Sequence, residues 1–220
     1  MTRPLHVTDL MVQSPRGAPL LVLPHLRLGA GQSLGIRGPS GAGKTTLLHA
    51  LAGLADHVSG QVRWGETDLV ALGTAQRAAF RARHIGLIFQ DFLLFDELGP
   101  LANAAVAALY APRNRRADLR SAAEQRLRGL GINPAPRTVA SFSGGERQRV
   151  AVARALAHDP GILLADEPTA SLDREAADRL AQDLATLSRE GGKTLIVVSH
   201  DAVLLDRMDH VLNLQDGGPI

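Results

Sequence analysis

"SLGIRGPSGAGKTTLLHAL", residues 33–51, runs from a short apolar stretch through a glycine loop into an apolar-periodic segment, and that order decides the fold. Gly38-Pro39-Ser40-Gly41-Ala42-Gly43-Lys44-Thr45 fits the spacing G-x-x-x-x-G-K-[ST], with Thr46 extending it. The loop follows an expected strand and opens an expected helix, which is the context this motif requires. Its glycines let backbone N–H groups turn inward on phosphates, and the helix dipole adds partial positive charge. Lys44 then reaches the outer phosphates, and the Thr45 hydroxyl can hold Mg²⁺. Of the 24 Lys and Arg residues only Lys44 and Lys193 are lysine, so a compact ammonium stands where phosphate is to be held.

Outward from the loop, short apolar runs alternate with amphipathic stretches, the pattern of an α/β fold with a mostly parallel sheet. Residues 20–23, 33–37, 85–89, 161–166, 194–199 and 210–214 are expected as strands. Residues 44–54, 74–83, 145–158, 174–189 and 201–208 are expected as helices, several opened by Asp or Ser and closed near Gly or Pro. Between about 91 and 158 the strand signal vanishes, and "LANAAVAALYA" and "RADLRSAAEQRLRGLG" are expected to be helical throughout. We therefore expect one domain over 1–220. Its α/β core takes approximately 1–90 and 159–220, and an inserted α-helical subdomain takes 91–158.

Composition narrows the possibilities. At 220 residues and 45% hydrophobic, the chain can bury a full core. A formal charge of +2 gives no footprint for nucleic acid, so no nucleic-acid partner is expected. With no cysteine there are no disulfides and no thiolate metal sites, which fits a reducing compartment. "MTRPLHVTDLMVQ" lacks a signal-peptide pattern, and no run approaches the ~18 apolar residues of a membrane span, so membrane contact is expected only through a partner. The basic run at 113–120 is expected as a solvated face.

Two further stretches carry chemistry. "ILLADEP", 162–168, ends an apolar strand in Asp166 and Glu167, and ligand sites in such sheets lie at the carboxyl ends of strands. Asp166 is suited to hold Mg²⁺ through water, and Glu167, pointing elsewhere, to polarise an attacking water. "SFSGGERQRV", 141–150, places a serine and two glycines at the start of a helix, a second pocket for an anion.

Taken in order, these motifs resemble the ATP-binding subunits of ABC transporters, over about 20–217. Gly38 to Thr45 match that family's phosphate loop, Gln90 its glutamine loop, and Ser143-Gly144-Gly145-Glu146 its signature. Asp166 and Glu167 match its acidic strand, Ser171-Leu172-Asp173 its aspartate loop, and Ser199-His200-Asp201 its histidine switch. The resemblance implies a P-loop NTPase core of RecA-like type, preceded by an N-terminal antiparallel β portion. It implies ATP and Mg²⁺ as cofactors, with Gln90 joining Thr45 and Asp166 at the metal, and Lys44, Gln90, Glu167 and His200 as catalytic residues. It also implies a second copy of the chain, head to tail, so that Ser143 to Glu146 with Ser171 and Asp173 close over the other copy's nucleotide. The two anion pockets are then halves of different sites.

The same resemblance implies a transmembrane permease subunit docked around Phe92, Leu93, Leu94 and Phe95, and a place on the cytoplasmic face of the inner membrane. "HIGLIFQDFLLFDEL" is most similar to the lipoprotein-releasing and macrolide-export branch. A cell-division regulator acting on a membrane partner is the alternative from another class. Two departures stand out. Phe142 replaces the usual leucine of the signature, and no aromatic residue precedes Trp64 to stack on adenine, leaving His6 and Arg16 as candidates and predicting modest base selectivity.

Overall fold

The computed structural model describes residues 2–133 and 137–220. Two long strands, β1 (Leu5–Gln13) and β2 (Pro19–Leu28), pair antiparallel, and β3 (Ser33–Arg37) then leads through the glycine loop into α1 (Lys44–Leu51). β4 (Val58–Trp64) returns to the other edge of β1 and carries the short β5 (Thr67–Asp68), so the first sheet has the order β2-β1-β4-β5. This is the antiparallel β portion.

The sequence predicts only residues 20–23 as strand in this part of the chain, because β1 and β4 hide their periodicity. Leu5 and Val7 are buried, and then the buried positions slip by one to Leu10 and Val12. The slip is a bulge at Asp9, whose φ is 49°, opposite Gly60 at φ 85°. A Cβ on Gly60 would stand 2.1 Å from the Asp9 carbonyl oxygen, so only glycine permits the crossing.

After α2 (Thr74–His84) comes β6 (Ile85–Ile88), and the rest of the main sheet is built from β7 (Ile162–Asp166), β8 (Thr194–Val198), β9 (His210–Gln215) and β10 (Gly218–Pro219). Its order is β10-β9-β3-β8-β7-β6, parallel except for β10. Nearly every residue of β3, β7 and β8 is buried, as expected for parallel strands covered on both faces. Because β3, β8, β7 and β6 are neighbours, the loops that leave their carboxyl ends crowd together along one edge.

Three helices, α3 (Pro100–Ala104), α4 (Arg113–Gly129) and α5 (Gly144–Leu156), follow β6, and α6 (Arg174–Arg189) and α7 (Ala202–Leu205) flank β8. No strand occurs between β6 and β7 among the described residues. The stretch 101–111 is not one helix. α3 stops at Ala104, a 3-10 turn covers Val106–Leu109, and α4 restarts after Pro112. Leu109 and Tyr110 are 66% and 88% exposed, so no apolar face is available there to hold a longer helix.

Three apolar clusters hold the molecule together. One lies between the antiparallel sheet, α1 and the main sheet; a second joins the opposite face of that sheet to α5 and α6; a third binds α3, α4 and α5. Phe142, 7% exposed, packs in the third cluster with Ile132 and Val150, so an aromatic residue serves well at that position. The basic start of α4 faces solvent, as its charge pattern predicts.

Candidate functional site

The glycine loop bends into α1 through Gly43, whose φ of 88° is one that larger residues avoid. A Cβ there would lie 3.1 Å from the Leu20 carbonyl oxygen, which ties the loop closely to β2. Ser40 through Thr46 line a cavity of 980 Å³, while Gly38 and Pro39 do not line it and border a neighbouring pocket instead. Their carbonyl oxygens accept hydrogen bonds from Lys44 Nζ at 2.7 and 2.9 Å, so the ammonium is held within the loop's curve.

Across the cavity, Thr45 Oγ1 donates a 2.8 Å hydrogen bond to Asp166 Oδ2 at the end of β7. Asp166 is buried, and its Oδ1 has no hydrogen-bond partner among the described residues. A hydroxyl and a carboxylate with an unused, desolvated oxygen make an all-oxygen donor set that fits a hard divalent cation.

Glu167 follows with a φ of 46°, in the left-handed region, and its carboxylate meets His200 where that of Asp166 meets Thr45. Its Oε2 accepts the backbone N–H of His200 at 3.3 Å, and His200 Nε2 lies 3.4 Å from Oε1. Oε1 is buried without a hydrogen bond among the described residues, so one carboxylate oxygen is left to accept a proton from water. Gln90, exposed beyond β6, lines the same cavity, so Lys44, Thr45, Gln90, Asp166, Glu167 and His200 converge on one space.

The signature residues lie elsewhere. Ser143 caps α5: its Oγ accepts the Glu146 N–H at 3.3 Å, and its own N–H donates to Glu146 Oε2 at 2.9 Å. That backbone N–H, aided by the Ser143 hydroxyl and Arg137, holds the Glu146 carboxyl below its ordinary range. Arg137 pairs with Glu146 and stacks over the Phe142 ring, 4.2 Å from its centroid. A Cβ on Gly144 would stand 3.2 Å from the Ser171 carbonyl oxygen, so the signature and the aspartate loop are side by side. Asp173 Oδ1 caps α6 by accepting the Ala176 N–H at 2.9 Å. None of Ser143, Gly144, Gly145, Glu146, Ser171 and Asp173 lines the cavity of the glycine loop.

Neither His6 nor Arg16 lines the cavity either; Leu20, 46% exposed, does. Arg174 also borders it and reaches Asp201 and Asp178. The sequence offers no signal for Leu20, which reads as an ordinary strand residue. Arg174 follows the capping Asp173 and precedes Asp178 by one helical turn, a spacing that favours an ion pair.

Comparison with known proteins agrees with this geometry. The chain matches the family described as ABC transporter over residues 24–170. It is 43% identical over 188 residues to the uncharacterized ABC transporter ATP-binding protein YbbA of Escherichia coli K12, covering 85% of this chain and 82% of that one. It is 41% identical over 217 residues to the lipoprotein-releasing system ATP-binding protein LolD 1 of Rhodopirellula baltica, covering 97% and 94%. The dimeric post-hydrolysis structure of the ATP-binding cassette MJ0796, bound to ADP and Pi, superposes with a TM-score of 0.85 at 30% identity, covering 98% of this chain and 96% of that one. Kinship of this degree, over this much of the sequence, means that the chain belongs to the ABC transporter family.

Proposed function

We propose that the chain is the ATP-hydrolysing subunit of an envelope-type ABC transporter, and that it works as a head-to-tail pair with nucleotide held between the copies. One observation carries this reading: Ser143, Gly144 and Gly145, at the start of α5, lie outside the cavity of their own glycine loop. A phosphate can meet both only when a second copy brings the other half. The dimeric state of MJ0796 with ADP and Pi supports it.

In this reading residues 38–46 cradle the phosphates and Lys44 neutralises the outer ones. Thr45, Asp166 and Gln90 hold Mg²⁺, which offsets charge on the phosphate oxygens when bound. Glu167 polarises the water and His200 orients Glu167. Ser143 to Glu146, with Ser171 and Asp173, close the site from the second copy. The core is formed by residues 1–90 and 159–220, with 91–158 as the helical signature portion.

The relative named for lipoprotein release supports a permease partner of the envelope type. Leu93 and Phe95, 56% and 52% exposed beside the glutamine loop, are its docking surface. No helix of the described residues is long and apolar enough to cross a membrane, and we place the subunit on the cytoplasmic face of the inner membrane through that permease.

Sizing of a Glu167→Gln variant at saturating Mg-ATP tests the shared site. The variant binds but does not hydrolyse, so it should elute as a dimer where the wild type returns to monomer. A variant that stays monomeric would sink the reading.

A further inference from the structure

Just past Gln90 the backbone does something costly. Phe92 and Leu93 both take left-handed conformations, with φ of 58° and 49°. Two consecutive bulky residues rarely do so, because each Cβ crowds a neighbouring carbonyl. Local hydrogen bonds from Phe92 N to Phe89 O at 3.0 Å and from Leu93 N to Asp91 O at 2.6 Å close the turn. A side chain of α5 holds it from outside as well. Arg154 of α5 donates from Nη2 to the Phe92 carbonyl and from Nη1 to the Leu93 carbonyl, each at 2.6 Å.

Arg154 has no carboxylate partner among the described residues, and burial pushes its pKa below the ordinary guanidinium value. A partly buried cation whose guanidinium, among the described residues, bonds these two carbonyls alone is committed to them, and a planar fork suits two adjacent acceptors where an ammonium would serve one well. The same strip is fastened further on, by Arg147 to Asp96 at 2.7 Å and by Asn103 Nδ2 to the Phe95 carbonyl at 3.0 Å. Residues 92–96 are thus fastened to α5 by Arg154 and Arg147 and to α3 by Asn103; α5 begins at its other end beside Ser143, while Gln90 lines the cavity.

We propose that Arg154 is a positioning residue for hydrolysis: by holding the carbonyls of Phe92 and Leu93 it keeps the left-handed turn that sets where Gln90 stands in the cavity. This rests on the reading of the chain as an ATPase. Arg154 touches no reacting atom; it acts through the backbone between residues 90 and 93. It also makes α5 a rigid link between the signature and the exposed side chains of Leu93 and Phe95.

The test compares the full-length wild type, Arg154→Lys, Leu93→Gly and the double variant. Hydrogen exchange of the amides in 90–96 is measured together with kcat and KM for Mg-ATP, and a melting curve checks that each variant is folded. Arg154→Lys should speed exchange in that segment about tenfold and lower kcat about fivefold or more, with KM within about twofold, since the phosphate cradle is untouched. Leu93→Gly in the Arg154→Lys background should restore most of kcat, because glycine takes a positive φ unaided. Leu93 is largely exposed, so little packing is lost.

Unchanged exchange, a KM that rises in step with the loss of rate, or a glycine that restores nothing would overturn the proposal. If Arg154→Lys does not fold, Arg154→Gln takes its place. A wild type that hydrolyses no ATP would defeat the ATPase reading, and exchange would then decide whether Arg154 holds the turn.

Discussion

Thr45 Oγ1 and Asp166 Oδ2, 121 residues apart in the chain, meet at 2.8 Å because β3 and β7 flank β8 in the main sheet. The contact joins two walls of the cavity, one at the start of α1 and the other at the end of β7. Thr45→Ala removes the donor to Asp166 and, in the proposed reading, a metal oxygen, so kcat should fall roughly 10²-fold with the fold intact, whereas Thr45→Ser should keep most of it. Steady-state kinetics with a melting curve check this. Equal loss in both variants would show that the hydroxyl is not what matters.

Leu20 lines the wall of the cavity, and no Phe, Tyr or Trp among the described residues does. An aliphatic side chain offers contact area to any base but no ring for stacking, a difference on the order of 1 kcal/mol. ATP and GTP should therefore turn over with kcat/KM within about threefold of each other. Leu20→Tyr should raise kcat/KM for both nucleotides alike, by about the fivefold that such an energy allows, since a ring stacks on either purine. A strong ATP preference in the wild type would place base recognition elsewhere.

Much of this could be seen in the sequence because the chemistry sits on glycines, carboxylates and a lysine at fixed spacings, and because parallel strands announce themselves as continuous apolar runs. Gly38 to Thr45 and Asp166 with Glu167 needed no tertiary information to be found. The bulge at Asp9 is different, since it shifts the alternation of β1 by one residue and becomes legible only with Gly60 opposite. Helix 101–111 failed for a related reason: alanine propensity is local, whereas the break follows from what Leu109 and Tyr110 have no surface to cover. Arg154 and Leu20 were invisible because what they meet is backbone carbonyls and a cavity, while for Arg174 the spacing to Asp178 is readable but the contact with Asp201 is not.

Lys193, the second lysine of the chain, is buried and donates 2.7 Å to Asp159 Oδ1 and 2.8 Å to the Pro160 carbonyl. The Lys193 hydrogen bond holds the Asp159 carboxyl below its ordinary range. A carboxylate whose folded pKa is depressed stabilises the protein above its unfolded pKa, near 4, and loses that contribution as pH falls through the folded value. Between pH 6 and pH 3 the wild type should therefore lose more melting temperature than Asp159→Asn. A parallel decline of the two curves would mean that Asp159 contributes nothing to acid sensitivity.

Glu146 puts a carboxylate in the first turn of α5, beside the pocket that the shared-site reading fills with phosphate, and the Ser143 N–H, the Ser143 hydroxyl and Arg137 keep it ionised. Two anions so placed would repel unless a cation offsets one of them, and Arg137, paired with Glu146 and steadied by the Phe142 ring, is suited to do so. Arg137→Ala should leave the cap of α5 in place, since Ser143 and Glu146 still bond each other, yet weaken ATP-driven pairing of Glu167→Gln copies by roughly tenfold through unbalanced charge. Adding Glu146→Gln should restore pairing, because glutamine can keep the reciprocal cap without the charge. Sedimentation at varied Mg-ATP and salt reads both effects, and the Arg137→Ala defect should grow at low ionic strength, where repulsion is least screened. A defect that Glu146→Gln fails to relieve would show that Arg137 acts on the fold and not on the charge at the signature.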